Sequence, residues 1–140
     1  MDAVIRVKQF FETLSRESVA RIGEVYAPEV RFKDPFNDVH GLAAVERVFT
    51  RMFEQVAAPR FVIAEAVAGD GQAFLTWEFF FRLHGSRQTE RCICGATHLR
   101  FAPDGRVCVH RDYWDVAEEL YEKLPVLGGF MRFLRRRAAG

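Results

Sequence analysis

Val25-Tyr26-Ala27-Pro28-Glu29-Val30-Arg31-Phe32-Lys33-Asp34-Pro35, with Gly41 six residues on, is the stretch on which the fold turns. Pro28 ends helical structure, because proline lacks the N–H that a helix interior needs. Val30 to Asp34 then reads as a short strand running into Pro35, and Pro35 to Gly41 as a loop. Upstream, Val4, Val7, Phe11 and Leu14 recur at helical spacing with Phe10 beside them. Ser15 to Ser18 interrupts, and a second short helix follows through Val19, Ile22 and Val25. Downstream comes the clearest helix, where Leu42, Val45, Val48, Phe49, Met52, Phe53 and Val56 form one apolar stripe.

After Pro59 the period changes from helical to two. Phe61 to Val67 predicts a strand and Gly69-Asp70-Gly71 its turn. Ala73 to Leu83 predicts a long strand with Trp77, Phe79, Phe81 and Leu83 on one face. His84 to Arg87 is a turn, Thr89 to Phe101 a strand, Pro103-Asp104-Gly105 a turn, and Val107 to Trp114 the last strand. Three helices followed by an antiparallel meander predict an α+β fold: a curved sheet packed on three N-terminal helices. Residues 1–115 form this cone, and residues 116–140 a helical extension of the same domain. In the extension Leu120, Leu124, Leu127, Phe130, Met131 and Leu134 make an apolar face, Pro125 breaks the helix, and arginines gather at its end. Cations suit a helix C-terminus, and the extension reads as a lid or strap rather than a membrane-surface helix.

Bulk composition sets bounds on function. The chain has 140 residues, enough to bury a core without a disulfide or metal staple. Twenty basic against 19 acidic residues give no electrostatic footprint for nucleic acid. Fourteen Phe, 3 Tyr and 2 Trp favour either a dense core or a pocket for a small hydrophobic molecule. Cys92 and Cys94 share one strand face, but no second Cys or His pair accompanies them, and the four histidines show no metal spacing. The cysteines thus read as structural thiols of a reducing, cytoplasmic compartment, and neither metal nor cofactor is expected. The N-terminus interrupts its apolar residues with Asp2, Arg6 and Lys8, unlike a signal peptide. The apolar run near Phe79 to Phe81 is too short to span a bilayer. Gly69-Asp70-Gly71 is a turn and not a phosphate loop, and Gly85-Ser86 lacks the nucleophile elbow.

The opening stretch, with Gly41 leading a helix, resembles the start of ketosteroid isomerases and SnoaL-like proteins of the nuclear-transport-factor-2-like class. Ala96-Thr97-His98-Leu99-Arg100-Phe101, Asp104-Gly105-Arg106-Val107 and Arg111-Asp112-Tyr113-Trp114-Asp115 look like the last two strands of that cone. The resemblance covers about residues 1–115. It implies a conical fold, a pocket between helices and concave sheet, and a homodimer, here through the outer sheet face. It also implies that Asp34 occupies the general-base position of ketosteroid isomerases, while their two oxyanion donors are replaced by Phe10 and Thr97. Limonene epoxide hydrolases are similar at Asp112, where they carry a catalytic aspartate; their Arg and second Asp are replaced by Trp77 and Phe79.

Alternation places His110, Asp112 and Trp114 on one face of the last strand, and Arg111, Tyr113 and Asp115 on the other. Asp34 and Asp112, with His110 as relay, are the candidate acid–base residues. Phe10, Phe32, Trp77, Phe79, Phe81, Thr97 and Trp114 are candidate ligand contacts. Three functional classes follow: an isomerase, cyclase or hydratase acting on a small hydrophobic molecule, a non-catalytic binder of one, and a dimerisation module. His98 falls on the opposite parity to Thr97 and reads as outer face.

Overall fold

The computed structural model describes residues 2–84, 89–119 and 127–139, with the backbone alone for 127–132. In order come α1 (Asp2–Glu12), α2 (Arg16–Val19), a 3-10 turn (Ile22–Glu24), β1 (Tyr26–Lys33), β2 (Asp38–His40), α3 (Leu42–Gln55), β3 (Val56–Gly69), β4 (Gln72–Leu83), β5 (Arg91–Phe101), β6 (Val107–Tyr113), α4 (Val116–Glu119) and α5 (Leu127–Ala138). The strands form one open sheet in the order β2-β1-β6-β5-β4-β3. The predicted meander is present as β3 to β6, antiparallel throughout. β1 joins β6 in parallel, so the strand before the helix and the last strand lie side by side. This is the expected α+β cone.

Local differences from the sequence reading have physical causes. Ser15 and Ser18 start α2 instead of interrupting a helix: each backbone N–H donates to the other's hydroxyl, 3.1 and 2.9 Å, in a reciprocal cap. β1 begins at Tyr26, four residues before the predicted start. Its pairing with β6 shifts register between Tyr26 and Arg31, and Pro28 sits in that irregularity, where no ladder N–H is needed. The loop before α3 contains β2, pinned by the exposed Arg31–Asp38 ion pair. Gly41 enters α3 at φ 88°, a backbone conformation costly for other residues, and its N–H donates to Val30 O at 2.7 Å, tying helix to strand. β3 starts directly at Val56, with irregular pairing between Ala57 and Arg60 absorbing Pro59.

The core lies between α1, α3 and the inner sheet face. Val4, Val7, Phe10 and Phe11 of α1 and Val45 and Phe49 of α3 meet Tyr26, Val30 and Phe32 of β1 and Leu75, Trp77 and Leu99 of the meander. Phe10 packs edge-on against Phe11, Tyr26 and Phe49 at 5.6 to 6.5 Å. Of the predicted C-terminal apolar face, Leu134 is exposed, as is Phe133. Leu120 and Leu124 lie outside the described residues, as do the side chains of Leu127, Phe130 and Met131. Among the described residues no helix is long and apolar enough to cross a membrane.

Candidate functional site

β1 and β6 run side by side toward the same end of the sheet, β6 two residues further. Phe32 pairs with His110 and Lys33 with Arg111; Asp34 follows directly where β1 stops, and Asp112 is the next residue of the adjacent strand β6. Beyond those ends lies an open cleft of about 570 Å³ lined by Lys33, Asp34, Pro35, Arg111, Asp112, Tyr113, Trp114 and Asp115. Its walls are more charged than the apolar pocket expected from composition.

The two aspartates have different surroundings. Asp34 Oδ1 accepts the backbone N–H of Phe36 at 2.8 Å and of Asn37 at 2.7 Å, and the Asn37 amide at 3.0 Å. Its carboxylate closes the turn after β1, an aspartate's common role before proline. Asp112 takes both of its hydrogen bonds on one oxygen. Oδ1 accepts the Thr97 hydroxyl at 2.5 Å and contacts His110 Nε2 at 2.7 Å. Among the described residues Oδ2 has no partner, and the side chain is 18% exposed.

Behind Asp112 the hydrogen bonds continue into the core. The Trp77 indole N–H donates to Thr97 Oγ1 at 2.7 Å. On the other branch His110 Nδ1 lies 2.8 Å from the Tyr26 hydroxyl. Burial, and then the Asp112 charge, raises Tyr26 well above the ordinary tyrosine range. Tyr26 therefore keeps its proton, and its hydroxyl can donate to Nδ1 while Nε2–H donates to Asp112. Tyr26, Phe32 and Phe11 wall the imidazole in, with ring centroids 5.8, 4.6 and 5.7 Å away. One oxygen of Asp112 is thus held by two donors, each fixed by a further buried partner.

Cross-strand register builds this chain. Thr97 is directly opposite Asp112 and Leu99 opposite His110. Trp77 is opposite Gly95, and its ring crosses that glycine to reach Thr97. A Cβ on Gly95 would stand 2.5 Å from the Trp77 ring, so only glycine leaves room for the bond.

Of the sequence-predicted residues, Asp34, Asp112 and Trp114 line the cleft. His110 and Thr97 support Asp112 from the interior. Phe10, Phe32, Trp77 and Phe81 are buried in the core, and Phe79 stacks between Phe61 and Phe81 at 4.5 and 5.1 Å. His98 is on the outer face, stacked on Phe74 at 4.4 Å. The sequence reading missed Tyr26 and Asn37. Alternation breaks at the exposed Pro28 and Glu29, where the register shifts, so the strand period does not announce the buried Tyr26.

A family model for the SnoaL-like domain matches residues 7–110. The chain belongs to the SnoaL-like family. Other members of this fold give the same picture. TsrD from Streptomyces laurentii superposes with a TM-score of 0.73 at 17% identity, covering 91% of this chain and 96% of that one. An LEH-like epoxide hydrolase of M. tuberculosis superposes at 0.70 and 17% identity, covering 96% of each chain. A protein of ketosteroid isomerase-like fold from Catenulispora acidiphila, solved with trimethylamine, superposes at 0.71 and 14% identity, covering 84% and 88%. At these identities the likeness establishes the fold of this SnoaL-like chain. No curated protein matches it in sequence.

Proposed function

We propose that this SnoaL-like protein performs acid–base chemistry on a small, partly apolar molecule bound in the cleft where β1 and β6 end, with Asp112 as proton acceptor. One observation carries the reading: Oδ1 of Asp112 is occupied by Thr97 and His110, while Oδ2 is unpartnered among the described residues beside an open cleft. A carboxylate held in this way is oriented for proton transfer without rearrangement. Trp114, packed edge-on against Phe36 at 5.6 Å, offers the apolar wall. Asp34 borders the same space and shapes its loop. Isomerisation, aldol-type cyclisation and hydration all begin with the removal of a proton by such a base, and all fit the site.

The proposed partner of the outer sheet face is a second copy of the chain. Val67, Phe74 and Tyr113 are exposed there, with Phe74 at 52%, and such an apolar patch is a common mark of an interface.

The test is proton exchange. A panel of small carbonyl compounds is incubated with the protein in D2O, and label uptake next to the carbonyl is followed by mass spectrometry. Asp112→Asn keeps an acceptor oxygen for Thr97 and His110 but loses basicity, so exchange should fall by about 10²–10⁴-fold with the melting temperature nearly unchanged. Absence of exchange across the panel, or exchange equal in Asp112→Asn, overturns the reading. Native mass spectrometry of wild type, Asp34→Asn and Asp112→Asn separates a binder from an enzyme: a retained molecule without exchange supports binding alone.

A further inference from the structure

The outer face of the sheet carries a cluster that the cleft does not use. Cys92 and Cys94 are two residues apart on β5, opposite in parity to the buried Ile93, and both thiols face outward. Glu78 on β4 is the direct cross-strand partner of Cys94. The two sulfurs and a Glu78 carboxylate oxygen all lie within 4.8 Å of one another. Glu78 and Cys92 are half-buried and Cys94 is exposed. The thiols share a hydrogen bond, and burial, followed by the negative potential of its neighbours, pushes Cys92 up to about 11. Among those neighbours is Glu119 of α4, an element that packs against β5.

Chemistry narrows what the cluster accepts. Two thiols and two nearby carboxylates make a negative site that favours a cation. Hard cations such as magnesium and calcium take nearly all-oxygen ligand sets, which two sulfurs do not provide. A disulfide fits poorly, because strand geometry sets Cα atoms of residues i and i+2 about 6.6 Å apart, near the upper end of the roughly 4.4–6.8 Å range a disulfide spans. A tetrahedral ion about 2.3 Å from each sulfur needs them only about 3.8 Å apart, within the observed clustering.

We propose that Glu78, Cys92 and Cys94 bind a thiophilic divalent cation of the zinc type, with Glu119 the adjacent carboxylate on α4. Binding forms two metal–sulfur bonds and one metal–oxygen bond. Each thiol releases its proton to solvent, and no electron transfer occurs. Sequence spacing alone hides this site, since a Cys-x-Cys pair has no partner motif and its third donor comes from the adjacent strand.

The test uses reduced, metal-free protein carrying Cys108→Ser, so that the two outer-face thiols are the only ones left. Cobalt(II) titration should give a near-ultraviolet thiolate-to-cobalt charge-transfer band that saturates at an equimolar ratio and is abolished by zinc(II). Cys94 is exposed, so Cys94→Ser should fold as wild type by circular dichroism. It should weaken zinc binding by at least about 100-fold, because even residues behind a metal ligand are worth 10–100-fold. Glu78→Gln should weaken it less. Light scattering run alongside reports the oligomeric state, since the cluster shares the face proposed for dimerisation; one cation per chain is expected in either state. Folded protein that gives no thiolate band at equimolar cobalt overturns the proposal, and so does undiminished zinc affinity in Cys94→Ser.

Discussion

Replacing Thr97 with valine removes one oxygen atom from the centre of the buried chain behind Asp112 and keeps the shape. Thr97 is 3% exposed. Its hydroxyl accepts from the Trp77 indole at 2.7 Å and donates to Asp112 at 2.5 Å. Without it the indole N–H is left buried and unpaired, a loss of about 1–3 kcal/mol. Asp112 also loses a charge-assisted bond worth about 1.5–3 kcal/mol, partly restored because water can reach a carboxylate that is 18% exposed. The net cost is then about 3 kcal/mol, or about 10 °C of melting temperature for a domain of this length. Thr97→Ser keeps the hydroxyl and loses one methyl, costing about 1 kcal/mol. Differential scanning calorimetry on the pair isolates the hydrogen bonds from the packing. If Thr97→Val melts within about 2 °C of wild type, or Thr97→Ser falls as far, the chain contributes nothing to stability and the reasoning fails.

Other substitutions probe neighbouring parts. Gly95→Ala drives a methyl against the Trp77 ring, whose bond to Thr97 and contact with Phe61 at 6.0 Å resist displacement. It should cost about 1–3 kcal/mol, and markedly less in a Trp77→Leu background, as read by urea unfolding of the double-mutant cycle. Tyr26 holds its proton more tightly folded than unfolded, so its contribution is complete below about pH 10 and is lost as pH rises toward the folded value. Stability should therefore fall more steeply above about pH 10 in wild type than in Tyr26→Phe; parallel curves in alkaline urea titrations would contradict this. Asp34→Ala removes the acceptor for two backbone N–H groups. It should cost about 1–2 kcal/mol and speed hydrogen exchange at Phe36 and Asn37, with Asp34→Asn milder on both measures.

The architecture was legible wherever burial imposes a period. Val45 and Phe49 anchor the α3 stripe in the core, and Ala73, Leu75, Trp77 and Phe81 alternate inward along β4 as their spacing indicates. β1 was less legible, because Pro28 signals a break and the sequence does not show that a register shift makes room for it. Parity joins His110 to Asp112, but Thr97 and Trp77 stand apart from them in the sequence, and the union of the four does not show there. It rests on Thr97 facing Asp112 and on Trp77 crossing Gly95, and strand register is a property of pairing that one strand's alternation does not carry. In the sequence Asp34 and Asp112 are both candidate acid–base residues. Their difference comes from what donates to them: the backbone of a turn for one, two buried side chains for the other.

The branch through His110 ends on Tyr26, whose side chain is fully enclosed. It is a dead end for proton traffic: it can hold Asp112 in one pose, but it has no outlet to bulk water. In the proposed reaction, a hydrogen taken up at Oδ2 has therefore to return to the bound molecule or leave across the cleft. While the ligand covers that opening, return competes with exchange. A deuterium label carried in on the reacting carbon should then reappear within the product more often than solvent exchange would allow, and the excess should grow with the bulk of the ligand over Trp114.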